Sequence, residues 1–202
     1  MALPDFSRET HYEGLVAGID EAGRGPWAGP VVAAIVILDR ANAPVGINDS
    51  KQLSKPKREA LFDAIMLAGH VGVGVASAQE VDRFNVLGAT KLAMRRAYDA
   101  IAQKPAVALI DGNQLPDLPC AMQAIVDGDA LCASIAAASI IAKVTRDRMM
   151  AELAREFPHY GWERNAGYGT REHQEGLARM GVTREHRRSF APIRRLLEQV
   201  AA

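Results

Sequence analysis

The sequence predicts an α/β protein, a mixed sheet flanked by helices, with a small basic helical segment at its C-terminal end. Three observations carry this. Short apolar runs come early and then alternate with helix-length stretches, the pattern of a layered α/β domain. A Gly/Pro-rich turn, Gly23-Arg24-Gly25-Pro26-Trp27-Ala28-Gly29-Pro30, joins the first two apolar runs and points to an antiparallel pair. Past Phe157 the character changes: between Arg155 and Arg195 there are nine Arg against five Glu.

The elements follow in order. An apolar run at 14–19 stops abruptly at Asp20-Glu21, and the β-branched run 31–38 reads as the second strand. Ser54-Lys55-Pro56-Lys57 places an N-cap residue and an early proline before a helix that continues through 59–68. Residues 71–76 form another strand. A helix opens near Ala78, and a second spans 87–103 with Leu92, Ala93, Ala97 and Ile101 on one side. The fully apolar strand 106–110 again runs into an aspartate, Asp111. Ile125-Val126 is short and extended, and Asp127-Gly128-Asp129 turns the chain into the longest helix, 133–157. Pro158 ends it, and Gly161, Gly167 and Gly169 punctuate a loop.

Composition narrows the function classes. The 202 residues fit one compact domain with a small appendage, and 49% apolar residues supply a full core. Aromatic residues are only 5%, so that core is built from Ala, Val, Leu and Ile. Lys plus Arg and Asp plus Glu balance at 24 each, which gives no polybasic tail but leaves room for a basic patch offset elsewhere. Cys120 and Cys132 form no CxxC and no Cys/His cluster, which argues against zinc and fits a reducing compartment. The N-terminal residues lack the apolar core of a signal peptide, and no run is long enough to span a bilayer. The expectation is a soluble, cytoplasmic protein with no membrane partner.

The carboxylates are the chemical signal. Two apolar strands that each end in an aspartate, Asp20 and Asp111, would bring both to one rim of the sheet, where α/β proteins place their sites. Glu21 follows Asp20 directly, and Asp129 sits in front of the Ala-rich helix. Such a cluster repels itself, and hard divalent cations with oxygen ligands, Mg²⁺ or Mn²⁺, relieve the repulsion. The same residues also have a plain reading: aspartates at strand ends cap turns, and Asp111-Gly112 and Asp127-Gly128 are ordinary turn pairs.

Residues 17–30, Ala-Gly-Ile-Asp-Glu-Ala-Gly-Arg-Gly-Pro-Trp-Ala-Gly-Pro, resemble the signature of type 2 ribonucleases H. The likeness continues, in the family's order, through 48–54 (Asn-Asp-Ser-Lys-Gln-Leu-Ser), Asp111-Gly112-Asn113, Gly128-Asp129 with 135–148, Gly167-Tyr168-Gly169-Thr170 and His186-Arg187-Arg188-Ser189-Phe190. The resemblance implies a ribonuclease H-like fold, a catalytic domain over 14–157 and a nucleic-acid-binding segment over 158–202. It also implies a metal-binding quartet of Asp20, Glu21, Asp111 and Asp129, holding two divalent cations. Gly23-Arg24-Gly25 would recognise the ribonucleotide at the cleavage site, Tyr168 would pack on the neighbouring sugar, and Lys51 and Lys143 would hold phosphates. Read alone, those lysines are surface residues and Tyr168 a loop residue. The activity implied is hydrolysis of the RNA strand of RNA–DNA hybrids, and nicking 5′ of ribonucleotides embedded in duplex DNA, by a chain expected to be monomeric. Asp127 competes with Asp129 for the last position, but Gly-Asp is the family element. Trp27 and Ala166 depart from the family, which more often has a smaller apolar residue and a lysine there.

Other readings differ in kind. Another nuclease of the same superfamily would keep the acidic site without Gly-Arg-Gly, and a type 3 enzyme would carry an extra N-terminal domain. A non-catalytic hybrid-binding module would not need the quartet. Gly72-Val73-Gly74 follows an apolar run, but no third glycine completes a nucleotide-binding fingerprint and there is no P-loop. Gln114-Leu115-Pro116-Asp117-Leu118 faintly resembles a peptide that binds a sliding clamp.

Overall fold

In the computed structural model, which describes residues 3–201, five strands form one sheet in the order β3-β2-β1-β4-β5. β1 (Val16–Ala22) pairs antiparallel with β2 (Val31–Leu38), the pairing that the Gly/Pro turn predicts, and β2 pairs antiparallel with β3 (Gly69–Ala76). β4 (Val107–Asp111) lies parallel to β1, and β5 (Ala121–Ile125) parallel to β4, which makes the sheet mixed.

β2 is buried along its whole length because helices cover both faces of the sheet. Ala33, Ile35 and Ile37 face α2 (Ala78–Ala100), while Ala34, Val36 and Leu38 face α1 (Lys55–Ala68) and α4 (Ala133–Glu156). Glycines set how closely the layers approach. A Cβ on Gly18 would lie 2.1 Å from the carbonyl carbon of Ser134, so α4 rests directly on β1. Cβ atoms on Gly72 and Gly74 would strike the carbonyl oxygens of Ala97 and Ala93 at 2.3 and 2.0 Å. That pair is therefore a seat for α2.

Several boundaries differ from expectation for physical reasons. Ser54 stands at the N-cap of α1 without a side-chain cap bond; instead Arg58 donates to the carbonyls of Ser50 and Leu53. The two helices expected around Ala78 and Leu87 are present within α2, separated at Asn85, which leaves helical geometry at φ 58° and whose side chain accepts from the amides of Leu87 and Gly88. The second ends at Ala100, not Gln103, where Lys104 donates to the carbonyls of Tyr98, Asp99 and Ile101. β5 begins earlier than expected and excludes Val126, because only its last residue is buried and its apolar signal is weak. Gly128–Leu131 is a single helical turn, α3, rather than a bare loop.

Beyond α4 lie α5 (Trp162–Asn165), α6 (Arg171–Met180) and α7 (Ala191–Ala201). They do not hang free. Tyr160, Trp162, Leu177 and Ile193 share a core with Ala28 of the Gly/Pro turn and Met150 of α4.

Candidate metal centre and nucleic-acid cleft

The parallel register Ile19↔Ile110 places the next residues, Asp20 and Asp111, side by side at the C-terminal rim of the sheet. Asp129 comes up to them on α3. One carboxylate oxygen from each of Asp20, Asp111 and Asp129 lies within 4.8 Å of the others. The position of α3 is fixed through Asp111 itself, whose Oδ1 accepts from the amides of Gly128 (2.8 Å) and Asp129 (3.4 Å). Asp127, in the left-handed conformation at φ 54°, points out to solvent and takes no part. Asp129, and not Asp127, is thus the aspartate that the fold brings beside Asp20 and Asp111.

Electrostatics mark the cluster as strained. Burial first, then the charges of Glu21 and Asp111, hold the Asp20 carboxyl well above the ordinary carboxylate range. Burial and then Asp129 raise Asp111 against the two amides that lower it. Burial also raises Glu21, although Arg24 donates to its Oε1 at 3.0 Å and pulls the other way. Glu21 lies outside the three-oxygen group; it stands next to it, in the wall of the cleft. Lys51 Nζ lies 3.0 Å from Asp129 Oδ2 and 3.8 Å from Asp49. Burial alone would lower the Lys51 ammonium, but the hydrogen bond to Asp129 and these charges carry it up. Its 3-10 turn, Ser50–Gln52, is tied to α4 by the Ser50 amide on Ser139 Oγ. Two buried acids and the half-buried Asp111, with one compensating lysine, form a set of hard oxygen donors, and divalent Mg²⁺ or Mn²⁺ fits that donor chemistry.

The acids floor a cleft of about 370 Å³ whose walls also carry Gly23, Arg24, Gly25, Lys143 and Tyr168. Of the residues singled out from the sequence, all but Asp129 border this one space; Asp129 joins them through its carboxylate, within 4.8 Å of those of Asp20 and Asp111. Lys143 is held by Asp147 at 2.7 Å. Tyr168 is half exposed, and a Cβ on Gly25 would sit 3.3 Å from its ring. Gly23 needs its missing side chain twice over: φ is +97°, and a Cβ would meet Arg146 Nε at 2.0 Å.

Sequence reasoning passed over the residues beneath this surface. Arg146 and Arg187 are buried and have no carboxylate partner among the described residues. Arg146 donates to the carbonyls of Ala28, Pro30 and Ala166, and Arg187 to those of Gly23, Arg24 and Gly29. Burial lowers Arg146 to about 10; burial and then repulsion from Arg146 lower Arg187 to about 9. Behind them His173 Nδ1 meets the Tyr168 carbonyl at 3.0 Å, and its Nε2 meets His186 Nε2 at 3.0 Å. Both segments, 135–148 and 186–190, belong to the matched motifs, but apart from Lys143 the pattern carried no role for any one residue. The two departures also find their places. Trp27 is accommodated by Gly169, where a Cβ would lie 2.2 Å from the indole, and Ala166 takes φ +48° at the end of α5.

The sequence model of the family described as Ribonuclease HII matches residues 17–193. Ribonuclease HII of Paramagnetospirillum magneticum is 56% identical over 195 residues, covering 95% of this chain and 97% of its own. That of Magnetococcus marinus is 59% identical over 185 residues, covering 90% and 87%. Among solved structures, the ribonuclease H2 from Pyrococcus horikoshii OT3 superposes with TM-score 0.79 at 27% identity, over 93% of this chain and 99% of that one. The ribonuclease HII in a PCNA complex from Archaeoglobus fulgidus gives 0.72 at 28%, over 87% and 95%. Bst-RNase HIII in complex with Mn²⁺ shares the fold at TM-score 0.74 and 24% identity, with 92% of this chain covering 70% of that one.

Proposed function

The chain belongs to the ribonuclease HII family, a metal-dependent endoribonuclease, and from that premise we propose the following roles for its residues. Asp20, Glu21, Asp111 and Asp129 hold two divalent cations, Mn²⁺ or Mg²⁺, at the floor of the cleft. Bound there, such ions would supply activation of a water for in-line attack and charge stabilisation of the departing 3′-oxygen, giving 5′-phosphate and 3′-hydroxyl ends. What supports the reading is the meeting of three carboxylates at one rim, two of them buried and Asp111 half-buried, with the glycine turn and Tyr168 lining the same cleft.

The protein groups do the positioning. Asp111 receives the two α3 amides through Oδ1, which fixes the direction of its carboxylate and the place of Asp129. Lys51 neutralises Asp129 while its side chain stays 75% exposed, so it can turn to a phosphate of the incoming strand. Lys143 takes a second phosphate. The backbone of Gly23-Arg24-Gly25 reads the 2′-hydroxyl, the only group there that separates RNA from DNA, and Tyr168 stacks on the adjacent sugar. The substrates are RNA–DNA hybrids and duplex DNA carrying single ribonucleotides, met in the cytoplasm by a monomer. No described helix is long and apolar enough to cross a membrane. Residues 158–202 add phosphate contacts to the catalytic domain, 14–157. The archaeal relative seen with PCNA makes a sliding-clamp partner reasonable, but we place any such contact outside residues 114–118, because Leu118 lies in the core.

Cleavage of a labelled duplex with one embedded ribonucleotide, set against a long hybrid, tests the reading. Wild type cuts both, only with divalent cation. Tyr168→Ala loses on the order of 10²-fold on the single ribonucleotide and less on the hybrid, since misplacement matters most where one register is available. Tyr168→Phe keeps the ring and most activity. Equal losses on the two substrates would return Tyr168 to an ordinary loop residue.

A further inference from the structure

The two glycines of the turn carry no side chain and the Arg24 guanidinium is engaged by Glu21 at 3.0 Å, so its reading of a ribose depends on where its backbone amides point. Arg187 is fully buried, and its guanidinium takes the carbonyl of Arg24 at 2.9 Å, that of Gly29 at 3.0 and 2.8 Å, and that of Gly23. In a trans peptide the carbonyl of one residue and the amide of the next point in opposite directions, and there is no cis bond among the described residues. Holding the Gly23 and Arg24 carbonyls inward therefore turns the amides of Arg24 and Gly25 outward. Both residues are exposed, both line the cleft, and neither amide has a protein acceptor among the described residues.

A buried guanidinium without a carboxylate is costly, and Arg146 beside it adds repulsion. Nearly all of its donors go to the turn. The same residue is locked from behind: its own amide donates to Trp27, and the next two amides, of Arg188 and Ser189, donate to the Asp82 carboxylate of α2 at 2.9 and 2.8 Å. The turn, α2 and the C-terminal segment thus meet at this one side chain.

We propose that Arg187 is the specificity-positioning residue of the enzyme, orienting the Arg24 and Gly25 amides as donors to the 2′-hydroxyl of the ribonucleotide to be cut. The inference rests on the reading of the glycine turn given above, and it assigns the discrimination between RNA and DNA to a residue that touches neither.

Binding to two duplexes in EDTA, one all-DNA and one with a single ribonucleotide, tests it without turnover. Arg187→Met should leave the affinity for all-DNA duplex within about twofold and erase the preference for the ribonucleotide, a loss on the order of tenfold for two hydrogen bonds. Arg187→Lys, which keeps charge and fewer donors, should restore part of the preference; a general loss of structure would weaken both duplexes alike. If Arg187→Met does not fold, as judged by circular dichroism, Arg187→Lys decides alone. Gly25→Pro deletes one reading amide directly. Loss of preference in Gly25→Pro with full preference in a folded Arg187 variant overturns the role of Arg187 and leaves the turn as reader. Full preference in both overturns the reading of the turn itself.

Discussion

Asp20 shows how much of the site is set by the surroundings of single residues. It is buried beside Glu21 and Asp111, so its charge is disfavoured by desolvation and by its neighbours. A carboxyl whose folded pKa lies above its unfolded value gives stability below the unfolded value, lost as pH rises through the folded one. At neutral pH and without divalent cations, Asp20 therefore weakens the fold. Asp20→Asn keeps the oxygen that accepts from the Glu21 amide at 2.7 Å and removes the charge. We expect this variant to melt higher than wild type in EDTA. Turnover should fall on the order of 10²-fold or more. Mn²⁺ should raise the wild-type melting temperature and leave the variant nearly unmoved. A variant that melts lower in EDTA, or still responds fully to Mn²⁺, would remove Asp20 from the metal centre. Asp127→Asn, exposed and outside the cluster, should change neither property.

At the scale of elements, the spacing of the cluster depends on how closely α4 sits on β1. The Ser134 backbone could not yield to a Cβ on Gly18 without moving the start of α4, and α3 with Asp129 lies just before it. Gly18→Ala should cost about 1–3 kcal/mol as an overpacked site and also lower turnover by widening the gap between Asp20 and Asp129. Thermal melts and initial rates check both; a stable variant with wild-type rate would show that the contact does not set the site. This contact is also where legibility ended. Asp20 and Asp111 could be placed from sequence because each closes an apolar run and parallel neighbours share a rim. The antiparallel turn was legible from its glycines and prolines. The ion pair of Lys51 with Asp129 and the reach of Arg187 to Gly23 were not, because they join residues 78 and 164 apart that no local period connects. Nor was the seating role of Gly72 and Gly74, which looks from sequence like half a nucleotide motif.

Across the whole molecule, the C-terminal segment is joined to the sheet less by charge than by burial. Of its arginines, Arg164, Arg171, Arg184 and Arg194 pair with glutamates and Arg187 is buried, so among the described residues exposed Arg179, Arg188 and Arg195 are left for phosphates. The junction is centred on two histidines. The Thr183 amide donates to His186 Nδ1 at 3.0 Å, so His186 carries its proton on Nε2 and donates to His173 Nε2, which also receives the Trp162 indole. His173 in turn donates from Nδ1 to the Tyr168 carbonyl. This circuit closes only with both rings neutral. Burial lowers His173, and burial, then the charge of His173, lowers His186 to about 3. With the folded pKa below the unfolded value of about 6.5, the unfolded chain takes protons that the folded one refuses. The stability from neutral His186 is thus complete above about pH 6.5 and drains away as pH falls towards 3, by a few kcal/mol in all. His186→Gln should be less stable than wild type at pH 7, and the gap between them should close by pH 4, since only wild type has the proton to refuse. Trp27 and Trp162 both lie at this junction, so their fluorescence reports on it, while far-ultraviolet circular dichroism reports on the sheet and its helices. The shared core and the buried arginines predict coincident transitions by the two probes at each pH. An acid transition seen by fluorescence well before circular dichroism would mean that the segment opens on its own, taking Tyr168 from the cleft while the carboxylates stay in place.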